Sequence, residues 1–66
     1  MTRGARLLAV ALSQIDKTDT MIARDLNLSK SQLSHYLTGR SRPKLDKAAE
    51  LEDRYRIPIR AWTQRV

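Results

Sequence analysis

Residues 18–40 read TDTMIARDLNLSKSQLSHYLTGR, and this stretch decides the fold. Apolar residues at Met21, Ile22, Ala23 and Leu26 make one stripe of a short helix. Asn27 follows, one of the few non-glycine residue types that accept the left-handed backbone of a sharp turn. Ser29-x-x-Gln32 then has the form of a capping box, in which the Ser29 hydroxyl accepts from the Gln32 amide and the Gln32 side chain reaches back. Leu28 and Leu33 stand at the two positions of a hydrophobic staple around that cap. Gly39 supplies a C-terminal stop. The spacing predicts two short helices joined by a tight turn, the second running from Lys30 to about Thr38.

Working outward, Leu8, Ala11, Leu12 and Ile15 recur at i, i+3, i+4, i+7, which predicts a first helix from about Arg3 to Ile15. Asp16-Lys17-Thr18-Asp19 breaks that pattern, and Thr18 or Asp19 can cap the next helix. Beyond the polar, basic loop Gly39-Arg40-Ser41-Arg42, Pro43 suits the first turn of a fourth helix. That helix is expected to reach Tyr55 and to bury Leu45, Ala48, Leu51 and Tyr55. Pro58 opens a last short helix, with Ile57, Ile59 and Trp62 available for burial. Arg56-Ile57-Pro58-Ile59-Arg60 also alternates like a strand, but its central proline permits an edge strand at most. The expected architecture is all-α, a bundle of about five helices forming one domain over residues 1–66.

Composition narrows the function. Apolar residues are 41% of the 66, enough for a small helical core and too many for a disordered tail. With no cysteine and one histidine there is no disulfide or zinc cluster, and no cofactor or metal is expected. The lack of cysteine fits a reducing, cytoplasmic setting. The first residues, MTRGARLLAVALSQID, begin basic and apolar, but Ser13 and Gln14 interrupt the run, so it reads as a helix rather than a leader. No stretch approaches the ~20 apolar residues of a membrane span. The net charge of +6 favours a polyanionic partner, nucleic acid before a membrane surface. Distribution sharpens this. Lys30, Arg40, Arg42 and Lys44 stand between Ser29 and Lys44 without one acid, whereas acids collect between Asp46 and Asp53.

Asn27-Leu28-Ser29, Leu33-Ser34, Tyr36, Gly39-Arg40 and Pro43 stand in the order seen in lambda-repressor and Cro-like helix-turn-helix domains, which this chain resembles. The resemblance continues through Leu45, Leu51, Tyr55, Ile57 and Trp62. It implies a compact bundle that binds operator DNA, usually as a symmetric homodimer on double-stranded DNA. A helical wheel puts Leu33 and Leu37 inward and Ser31, His35 and Thr38 outward, with Gln32 and Ser34 flanking. Lys30 can donate to guanine O6 and N7, and His35 to a purine N7 or a phosphate. On the family's motif, Lys30, Ser31, Ser34 and His35 fall where bases are contacted. Ser29, Gln32, Arg40 and Arg42 are the phosphate candidates, through a helix N-terminus and the loop that follows the recognition helix.

The chain departs from the family at three positions. Asp19 replaces a usual glutamine and is expected to cap its helix instead of holding phosphate. Leu37 takes a commonly acidic position, and Glu52 takes a usually apolar one, where it needs a partner arginine or partial exposure. Ser31 and His35 at i, i+4 resemble a nucleophile and base, but no orienting acid or oxyanion loop accompanies them, and no enzyme is expected. Tyr36 and Trp62 read as core rather than as a stacking platform. Ile59 or Trp62 is a candidate partner contact, with closure of the monomer core as the competing role for Trp62. An antitoxin-type regulator, or a protein-interaction module that uses the bundle without reading DNA, are the alternative functions.

Overall fold

The structure, a computed structural model, describes residues 2–65. Among the described residues four α-helices succeed one another: α1 (Arg3–Ser13), α2 (Asp19–Asp25), α3 (Lys30–Thr38) and α4 (Leu45–Tyr55). The expected fifth helix is a 3-10 segment, Ile59–Thr63, introduced by Pro58. Beyond it, strand character among the described residues is limited to one antiparallel bridge that joins Arg65 to Thr2. Helix α1 packs on α3 and on the 3-10 segment, α4 on the 3-10 segment, and α2 on α3. The all-helical architecture is as the sequence predicts, with its last element wound more tightly.

Each early helix starts at a side-chain cap. Thr2, Thr18 and Ser29 accept from the amides of Ala5, Met21 and Gln32 at 3.1, 3.3 and 3.1 Å. Thr18, not Asp19, therefore caps α2. Asp19 is the first helical residue, where its carboxylate meets the positive end of the helix dipole. Left-handed residues make the stops: Asn27 at φ 57° after α2, Gly39 at φ 78° after α3 and Arg56 at φ 58° after α4.

The core gathers Leu8, Ile22, Leu26, Leu33, Leu51 and Ile57, all essentially inaccessible, around Tyr36 and Trp62. The two rings meet tilted, with centroids 6.4 Å apart. Trp62 lies over Gly4, whose missing side chain leaves room for the indole. Trp62 is 3% exposed and committed to the monomer core, so of the two expected partner-contact residues only the half-buried Ile59 keeps a surface.

Three further expectations need correction. Leu45 is 74% exposed rather than buried. At ~100° per residue it sits roughly 90° away from the face shared by Ala48, Leu51 and Tyr55, and at the helix's open end. Pro43 lies outside α4, since Lys44 holds the cap position without a side-chain bond and the Asp46 carboxylate takes the Lys47 amide at 2.8 Å instead. Helix α1 ends at Ser13, and Gln14 and Ile15 close it with short-range bonds to Ala11 and Leu12. Glu52 is exposed, one of the two resolutions open to it.

Candidate nucleic-acid interface

Helix α3 is held from below and from both ends. Leu33 and Tyr36 anchor it in the core, while Leu37, expected inward, is only half-buried against the core's edge. At its start half of the capping box forms, with the Ser29 hydroxyl on the Gln32 amide. The Gln32 side chain instead lines a groove on the surface. At its end the amides of Gly39, Arg40 and Ser41 fold back onto the carbonyls of Tyr36 and His35 at 2.9–3.3 Å, which fixes where the basic loop departs. Thr38 turns its hydroxyl back to the Ser34 carbonyl, 3.1 Å away.

What remains outward is the polar face read from the sequence. Lys30, Ser31 and Ser34 are exposed and His35 is half-buried. Ser29, Gln32, Arg40 and Arg42 are exposed around its rim. Two open grooves flank the start of α3 and share Asn27 and Leu28. One, of about 330 Å³, is lined by Thr20, Arg24 and Lys30. The other, of about 500 Å³, carries Gln32, Tyr36, Ser41, Arg42, Lys44 and Lys47 with a single acid, Asp46. The structure thus places Lys30 and Arg42 in two different grooves that share Asn27 and Leu28. Arg40 lines neither groove. Arg24 and Lys44 border the surface although the motif did not single them out; their signal was their charge alone.

A connection from α4 stabilises this unit. The Lys47 ammonium donates to the Leu26 carbonyl at 2.5 Å and to Glu50 Oε1 at 2.8 Å. Leu26 is the last residue before the left-handed Asn27, so a cation sits at the negative end of α2, where the turn begins. Arg54 approaches the other Glu50 oxygen at 3.3 Å. The hydrogen bond from Lys47 is the main reason the Glu50 carboxyl is held below the usual glutamate range. Lys17, 2.9 Å from Asp25, does the same for that carboxyl at the end of α2.

A sequence model of the helix-turn-helix family matches residues 5–62. The chain belongs to the helix-turn-helix family. Its type is that of the lambda repressor and Cro, a family of DNA-binding regulators and not of enzymes. Comparison with curated proteins and with solved structures returns no significant match. In this helix-turn-helix domain α2, the Asn27 turn and α3 are the motif itself, and no helix among the described residues is long and apolar enough to cross a membrane.

The Lys47 contact yields a stability prediction. Lys47→Met keeps the aliphatic stem and removes both bonds, and should cost about 1 kcal/mol, or a melting temperature roughly 4–8 °C lower at neutral pH. Since Glu50 binds its proton more weakly folded than unfolded, its contribution is complete above the ordinary glutamate value of about 4.3. It is lost as pH falls through the lower folded value. The gap between wild type and Lys47→Met should therefore narrow on acidification below about pH 4. Thermal melts across acid and neutral pH test this, and a gap independent of pH would contradict the pairing.

Proposed function

We propose that this domain is a sequence-specific double-stranded-DNA-binding transcriptional regulator of the phage repressor or Cro type, acting as a homodimer on a palindromic operator. The observation that carries this reading is the exposed face of α3 between two predominantly basic grooves. In the major groove, Lys30, Ser31, Ser34 and His35 read base edges. Small hydroxyls let the helix approach closely and can donate or accept. Ser29, Gln32, Arg40 and Arg42 hold the phosphates on either side. Asp19 at the start of α2 repels phosphate, so the anchor passes to the groove that holds Arg42 and Lys44.

A nine-residue α3 is about 13.5 Å long and reads only a few base pairs. A molecule measuring 27 × 22 × 21 Å has the right size for two copies to sit side by side on half-sites one helical turn, ~34 Å, apart. Ile59, half-buried on the 3-10 segment, is the residue we assign to the contact between them.

The test is a duplex titration across salt. With about four to six phosphates neutralised, log affinity should fall with log salt at a slope near −4 to −5 per protomer. A slope near zero would overturn the nucleic-acid reading, and weak binding blind to sequence would favour a protein-interaction module.

A further inference from the structure

The two ends of the described chain are fastened together beside the end of α3. The Arg3 amide donates to the Gln64 carbonyl at 2.7 Å, the Arg3 guanidinium donates to Gln64 Oε1 at 3.2 Å, and Thr2 bridges Arg65. Trp62, seated over Gly4, holds this clasp down from inside. The clasp brings Arg65 to a cleft of about 190 Å³ whose other lining residues are Thr2, Gly39 and Arg42.

That cleft has the composition of an oxyanion site. It carries two arginines and no acid, and the ion pairs among the described residues all lie elsewhere, on Lys17, Lys47 and Arg54. Two arginines lining one small cleft concentrate positive charge there, and an anion held between them is favoured by both. The planar fork of each matches two phosphate oxygens. The Thr2 hydroxyl already accepts from the Ala5 amide, which leaves its O–H to donate. Arg42 lines both this cleft and the larger groove beside α3.

We propose that Arg65 is a DNA-phosphate-binding residue that shares one backbone phosphodiester with Arg42 across this cleft. The inference rests on the DNA-binding reading above and extends the phosphate track from Lys44 through Arg42 to the clasped ends. It also makes the fold of residues 62–65 a condition of full affinity, although no part of the recognition motif lies there.

The full chain is titrated by fluorescence anisotropy with a mixed-sequence duplex of about two helical turns at several salt concentrations. Arg65→Gln, Arg65→Lys, Arg42→Gln and the double glutamine variant are compared with wild type. One lost phosphate contact lowers the salt slope by ~0.9 and weakens binding roughly 5- to 10-fold at 0.1 M salt. Arg65→Gln should show that loss with an unchanged melting temperature, since the bridge to Thr2 is made by backbone. Arg65→Lys should recover part of it. With Arg42 already replaced, losing Arg65 should cost less than in wild type. Wild-type affinity and slope in Arg65→Gln, or a loss equal in both backgrounds, would overturn the shared site. A wild type that itself binds without salt dependence would instead overturn the DNA-binding reading.

Discussion

Gly4→Ala is expected to destabilise this domain by about 1–3 kcal/mol, although alanine is normally the better helix former. At an exposed helical position the exchange gains roughly 0.5–1 kcal/mol. Here the added Cβ would stand 2.5 Å from Trp62 Cδ2 and 2.6 Å from Cε3, well inside contact distance. The ring has no free direction in which to yield, because it is 3% exposed and packed against Tyr36. Overpacking therefore outweighs propensity. A core this small supplies only about 3–5 kcal/mol in all, so the loss is a large share of the total. The melting temperature should fall by roughly 5–20 °C. Combining Gly4→Ala with Trp62→Leu should cost less than the two changes added separately, since the clash vanishes with the ring. A melting temperature unchanged or raised in Gly4→Ala would show that the indole shifts freely. The same substitution should weaken duplex binding in the molecules that stay folded, because it loosens the clasp that carries Arg65.

This contact also marks the boundary of what the sequence makes legible. The cap at Ser29, the turn at Asn27 and the stop at Gly39 were readable because each is a local competition between one side chain and the nearest backbone groups, whereas at α2 the sequence left Thr18 and Asp19 both open as the cap. Burial of Leu8, Leu12, Leu33 and Leu51 followed from period alone. Gly4 beneath Trp62 joins opposite ends of the chain, and nothing near Gly4 announces it. The reach of Lys47 to the Leu26 carbonyl pairs a side chain with a backbone atom, which leaves no pattern in residue types. Leu45 misled because an apolar residue at the first position of a helix overhangs the face it seems to continue. The outward face of α3 was legible for the same reason as the core, as its complement on the wheel. Lys44 was legible only as part of the acid-free basic run, and Arg24 and Arg65 became candidates only when folding placed each of them in a groove.

The other large effect concerns specificity, and it separates two kinds of residue that the surface alone does not distinguish. On a selected operator, Lys30→Ala or His35→Ala should each cost about 1–3 kcal/mol, the value of one good base contact. The cost should fall only on duplexes that carry the base being read, so that the order of preferred sequences changes. Arg40→Ala and Arg42→Ala should weaken every duplex by a similar factor and flatten the salt slope by ~0.9 each. Folding does not confuse the comparison. Lys30 is exposed at the first turn, and the cap there belongs to Ser29. His35 holds the basic loop through its backbone carbonyl, which accepts from the Arg40 and Ser41 amides whatever the side chain. Melting temperatures of these variants should therefore move by no more than a surface change does, within about 0.5 kcal/mol. Lys30 is the sharper probe, because it both borders a groove and begins the helix: a phosphate role predicts a uniform loss, a base role a selective one. Uniform, sequence-blind losses from Lys30 and His35 would move both residues to the phosphate group and leave α3 without a reading face.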